Sequence, residues 1–363
     1  MINPSPTSAP APETDTLQLQ ELHALPPGLL ECESHELADA LGGPTLIHLP
    51  GQREPALFVS VLMHGNETVG WETMRALLKR HAGDGRPLPR ALSLFIGNVR
   101  AAALGQRTLP GQPDYNRVWP GTELPETPVH RLMADVVERM RSRGIFASID
   151  LHNNTGANPH YACVNVIDNR FLHLATLFSR TVVYFVRPTG VQSQAMAHLC
   201  PAVTLECGKV EDRRGVDHAL ELVDACLHLS HLPEQAVAAH DIDLYHTVVQ
   251  VKIPAELPFG FAPEDAPLML SPDLDHMNFR ELPAGTAFGR CWADDQTKAS
   301  ALLDVRDEWD RLVTDHYFGI DDGELRLKVP VMPSTLTRDE TVIRQDCLCY
   351  LMERYNGHVP RRD

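Results

Sequence analysis

Apolar and polar positions fall in blocks along this chain, and their period changes near residue 240. Residues 56–63, ALFVSVLM, form a continuous apolar run that breaks at His64-Gly65-Asn66-Glu67. A short run with such an abrupt end predicts a buried strand. Residues 68–81 then carry helical spacing, with Val69, Met74, Leu77 and Leu78 apolar. A second strand is expected at 91–96, closed by Gly97 and Asn98. The Pro- and Gly-bearing stretch 105–125 has almost no periodicity, and loops of that length in a compact domain are usually functional or disordered. Beyond it the pattern predicts a helix over 128–143 and a strand over 145–151 that ends at His152. Strands over 161–167, 181–186 and 201–206 and helices over 170–179 and 216–231 follow. Strands alternating with helices predict an α/β sheet covered on both faces.

From about 240 prolines become frequent, helical spacing fades, and the runs 244–253, 286–292 and 324–331 read as strands. The expected organisation is a loose Pro-, Ser-, Thr- and Ala-rich leader over 1–16, an α/β domain over 17–240 and a smaller β-rich domain over 241–363.

Composition narrows the partners. With 363 residues, 43% hydrophobic and 22% charged, the chain is long enough for about two domains and an ordinary core. The formal charge of −16 would repel a phosphate backbone, which argues against nucleic acid as a partner. A local basic pocket remains compatible with that total. The eight cysteines are scattered without a CxxC pair, as buried thiols in a reducing cytoplasm would be. No stretch approaches the roughly 18–20 apolar residues of a membrane span. Residues 1–16 lack the basic and apolar segments of a signal peptide. A cytoplasmic protein with no membrane partner is expected, and the pattern is silent on oligomeric state.

Four local patterns carry chemistry. His64 and Glu67, three apart where a strand gives way to a helix, can aim an imidazole nitrogen and a carboxylate oxygen at one ion. In Asp150-Leu151-His152-Asn153, also at a strand end, Asp150 and His152 fall on the same side of the strand. His152 would be the third ligand, leaving a position open for water, and Asp150 a carboxylate behind it. The run 203–208, VTLECG, delivers Glu206 at a strand end, where it could pass protons. In the long loop, Asn116 and Arg117 could grip a carboxylate, and Arg107 could steady an oxyanion. His228 and His231 read as exposed polar residues, and His160 as a residue near the pocket.

In order, the motifs HGNE, DYNR, DLHN and TLECG resemble the zinc carboxypeptidase superfamily, and within it the succinylglutamate desuccinylase and aspartoacylase branch. The resemblance spans 64–208 and departs from the family at Tyr115, where Leu or Met is usual, and in a longer stretch between Arg107 and Arg117. It implies a mixed β-sheet flanked by helices, with a smaller C-terminal β-rich domain. It also implies a single Zn2+ ion on His64, Glu67 and His152, and Glu206 as base and then acid. Arg107 would polarise the carbonyl, while Asn116, Arg117 and Asn153 would bind substrate and Arg187 would anchor an acidic acyl group. The implied activity is hydrolysis of the amide bond of a small N-acyl amino acid by metal-activated water. A metallocarboxypeptidase acting on small peptides and an idle, ligand-binding member would carry the same motifs. The motifs do not name the acyl group.

Overall fold

A computed structural model describes residues 17–83, 87–261, 266–292, 298–355 and Gly357. The leader expected at 1–16 lies outside the described residues. Nine strands in chain order build most of the main sheet: β1 (Gln20–Leu22), β2 (Thr45–Leu49), β3 (Ala56–Val61), β4 (Leu92–Ile96), β5 (Ile145–His152), β6 (Tyr161–Val164), β7 (Thr181–Tyr184), β8 (Ala202–Glu206) and β9 (Asp243–Lys252). Among the described residues twelve strands share this sheet, in the order β1-β2-β4-β3-β5-β8-β6-β7-β9, followed by Cys349–Arg354 and Met332–Ser334, with Asp304–Asp307 also on β9. β3, β5 and β8 run parallel side by side, and β3 is buried along its whole length. Strands buried on both faces read as continuous apolar runs, which is why 56–61 stood out in the sequence.

Helices cover the faces. Pro128–Arg143 shows how local signals set such a helix: Thr127 and His130 form a capping box, Pro128 opens the first turn, and Gly144 at φ 72 ends it. Val129, Leu132, Met133, Val136, Val137 and Met140 form its buried face, each contributing about 1.5–3 kcal/mol relative to exposure. The long loop is present, since residues 104–127 hold neither helix nor strand.

The main sheet does not stop at residue 240. β9 pairs in parallel with β7, and three later strands continue the sheet beyond it. Phe259–Phe261, Leu268–Leu270, Ala287–Cys291, Glu324–Leu327 and Phe318–Asp321 form a separate five-stranded sheet. The fold is therefore mixed α/β with a small C-terminal sheet, as the resemblance implied. One core lies around β2 to β8 and another under the C-terminal strands. A small cluster of Tyr161, Cys163, Val183, Tyr245, Met332 and Met352 joins the two regions. The cysteines are all unpaired, and only Cys32 is partly exposed. Among the described residues no helix is long and apolar enough to cross a membrane.

Candidate metal centre and active site

The ends of three neighbouring parallel strands bring the site together, where open α/β sheets hold their ligands. After β3 the chain turns through Leu62, whose φ of 56 is unusual for a side chain of that size. His64 and Glu67 follow, ahead of the helix Val69–Gly83. Gly65 between them has no alternative: a Cβ there would sit 2.2 Å from the Ala102 nitrogen. β5 carries Asp150 and His152 on one side. In the β5–β8 register His152 lies opposite Glu206, so strand pairing alone sets the proposed base beside a proposed ligand.

His64, Glu67 and His152 are buried, and their ligand atoms lie within 4.8 Å of one another. His64 Nδ1 is 2.7 Å from Glu67 Oε1 and His152 Nδ1 is 2.8 Å from Glu67 Oε2. The opposite ring nitrogens rest on carboxylates: His64 Nε2 on Asp114 at 2.9 Å and His152 Nε2 on Asp150 at 2.7 Å. Asp150 in turn accepts hydrogen bonds from Ser60 Oγ at 2.6 Å and Asn116 Nδ2 at 3.2 Å. A carboxylate behind each histidine fixes the ring and raises the basicity of the other nitrogen, the usual support for a metal-binding imidazole. Two Nδ1 atoms and one carboxylate suit zinc, with room for an exchangeable ligand. Burial works against the Glu67 anion, but His64 and His152 beside it pull its carboxyl well below the usual range.

Glu206 is half-buried at the wall of the same cavity. Burial pushes its carboxyl up to about 7, with the attraction of His152 opposing and the charge of Glu67 adding. The two glutamates thus differ in protonation although both lie beside His152.

Arg107, Asn116, Arg117, Asn153 and Arg187 all line this cavity, but most are engaged by the protein itself. Asn116 donates to Asp150 and accepts from the Gln192 nitrogen at 2.8 Å. Asn153 accepts from the Val69 nitrogen at 3.1 Å and donates to the Gly208 carbonyl at 2.9 Å, bracing the helix that follows Glu67. Arg107 donates to Asp114 at 3.0 Å and lies 3.5 Å from Glu67, while its Nε is buried without a partner among the described residues. Arg117 donates to both oxygens of Asp346, at 2.9 and 3.0 Å. Burial would raise the Asp346 carboxyl, but Arg117 and Arg107 lower it. Arg187 donates to the two oxygens of Glu123 at 3.1 Å each and to the Glu308 carbonyl at 2.9 Å.

Sequence reasoning missed Asp346, which no local pattern marks, and the task of Asp114, although that residue heads the DYNR motif. His160 turns away from the centre to meet His218 Nδ1 at 2.9 Å in a separate depression. His228 and His231 are exposed, as read.

A family profile described as the succinylglutamate desuccinylase/aspartoacylase catalytic domain matches residues 53–229. The domain at 53–229 belongs to that family. Its fold is accordingly that of metal-dependent deacylases, here with a buried His–Glu–His group. The structure is similar to succinylglutamate desuccinylase from Chromobacterium violaceum, with a TM-score of 0.52 and 15% identity over 83% of this chain and 85% of that one. Murine aminoacylase 3 is similar at a TM-score of 0.53 and 16% identity, over 84% and 97% respectively. A succinylglutamate desuccinylase/aspartoacylase from Rhodobacter sphaeroides gives 0.52 and 14%, over 85% and 88%. At such identities the likeness speaks to the fold alone. A search of curated protein sequences found no match.

Proposed function

We propose that this protein is a zinc-dependent hydrolase that cleaves the amide bond of an N-acyl amino acid. The observation that carries this reading is the buried His64–Glu67–His152 group backed by Asp114 and Asp150, with Glu206 opposite His152. His64, Glu67 and His152 would hold the ion. Zinc, when bound, supplies Lewis acidity toward a carbonyl and a water at this place. Glu206, whose carboxyl burial pushes up to about 7 in the metal-free protein, is the carboxyl that exchanges protons here. It takes one from the attacking water as the new C–O bond forms, and hands it to the amine nitrogen as the C–N bond breaks. Arg107, buried next to Glu67, supplies N–H donors toward a carbonyl oxygen that gains negative charge. Asn116, Arg117 and Asn153 form the wall on which the rest of the substrate lies, and Arg187 stands where this cavity meets an adjoining one. The unpaired cysteines fit a reducing compartment such as the cytoplasm.

The test is amine release from a panel of N-acetyl and N-succinyl amino acids by zinc-loaded protein, with short peptides and a chelator control alongside. Chelator-sensitive release from acyl amino acids with peptides untouched is the expected result. Cleavage of peptides alone would replace the deacylase by a carboxypeptidase, and no cleavage by fully metallated protein would leave an idle site.

A further inference from the structure

Arg107, Arg117 and Arg187 are the lysine or arginine side chains lining the cavity among the described residues. Each is already matched by an acid of the chain: Arg107 by Asp114, Arg117 by Asp346 and Arg187 by Glu123. The Arg117 pair is the firmest obstacle to an incoming anion. Asp346 closes the short helix Glu340–Gln345 and its nitrogen donates to the Val342 carbonyl at 2.9 Å. Ile343 before it and Leu348 after it are buried, and Leu348 bonds to β9 at 2.8 Å. Its carboxylate is therefore held at Arg117 by a packed backbone. The Arg187 pair is weaker, because the Glu123 side chain is 66% exposed and solvent screens such a contact. Away from the His–Glu–His group, the apolar or weakly polar side chains Tyr161, Cys163, Val183, Phe185, Val342 and Cys347 face the space, interspersed with neutral hydroxyl and amide side chains.

We infer that this site selects an N-acyl amino acid with an apolar side chain and at most one carboxylate, and that Asp346 is the residue that turns an acidic side chain away. A substrate α-carboxylate displaces Glu123 at Arg187; a second carboxylate finds Arg117 occupied and Asp346 repelling it. The inference rests on the deacylase reading for the bond that is cut, but not for the selectivity.

N-acetylleucine and N-acetylaspartate are close in shape and differ in charge, so their ratio isolates the effect. It is read on zinc-loaded wild type, Asp346→Asn and Asp346→Glu, as kcat/KM where the compound is cleaved and as Kd by calorimetry where it is not. Wild type should favour the leucine compound at least about tenfold, the scale of one charged hydrogen bond. Asp346→Asn should move that ratio toward the aspartate compound by about tenfold or more, and Asp346→Glu should keep the wild-type order. Wild type that binds neither compound, or that takes the aspartate compound equally well or better, overturns the inference whatever the variants do. An unchanged ratio in folded Asp346→Asn protein removes Asp346 from the role. Selective binding without cleavage would sink the hydrolase reading and leave the selectivity standing.

Discussion

Glu67 and Glu206 are the same residue type and both feel the charge of His152, yet their surroundings drive them apart. Glu67 is clasped by two histidines and stays ionised, whereas at Glu206 the loss of water outweighs the attraction of His152 and the carboxyl rises to about 7. Separation of two carboxyls in this way is what the proposed roles of ligand for Glu67 and proton carrier for Glu206 call for. Replacing Glu206 by Gln should lower turnover by about 10² or more while bound zinc, measured by metal analysis, stays at one per chain. The linkage to stability has a definite sign. Between about 4.5 and about 7 the folded metal-free protein keeps a proton that the unfolded chain has released, so Glu206 makes stability fall as pH rises through that window. Its share is at most about 3 kcal/mol, less where the cavity admits water. Metal-free Glu206→Gln protein should lose that decline, checked by urea unfolding at about pH 5 and about pH 8. Asp150 is buried behind His152 and does not line the cavity, so its effect runs through that ring: Asp150→Asn should weaken zinc binding about 10- to 100-fold in a chelator competition.

Among the elements, the turn between β3 and the helix Val69–Gly83 is the least tolerant. It must deliver both proposed ligands, His64 and Glu67, within four residues while Gly65 lies against the backbone of Ala101 and Ala102. Backbone cannot retreat as a flexible side chain can, so Gly65→Ala should cost about 3 kcal/mol or more. Calorimetric melting checks this, and zinc retention should fall with it because His64 and Glu67 move together. The strand ends were legible because β3, β5 and β8 are buried on both faces and stop at polar residues. β2 was not foreseen: it has five residues, and the buried His48 interrupts its apolar pattern. That histidine is satisfied by Ser93 Oγ at 2.8 Å, a partner on β4 that no local pattern announces.

At the scale of the molecule, the C-terminal third is part of the sheet and of the cavity wall. β9 covers the open edge of β7, and Tyr245, Met332 and Met352 complete a cluster with Tyr161 and Val183. A fragment ending at 240 would expose that edge and half of that cluster, an invitation to aggregation. We predict that it shows no cooperative thermal transition; a soluble, cooperatively melting fragment would contradict this.

What the sequence determined by itself is local: the buried strands, the polar residues at their ends, the helix spacing, and the HxxE motif with DxH after it. These follow from period and from neighbours within a few residues, which is all that periodicity senses. The tertiary structure decided what depends on strand order and register. It set Glu206 beside His152, put Asp114 behind His64, and brought Asp346 across 229 positions to Arg117. A carboxylate at position 346 reads in sequence as a surface charge, since its meaning lies in the guanidinium that folding places against it.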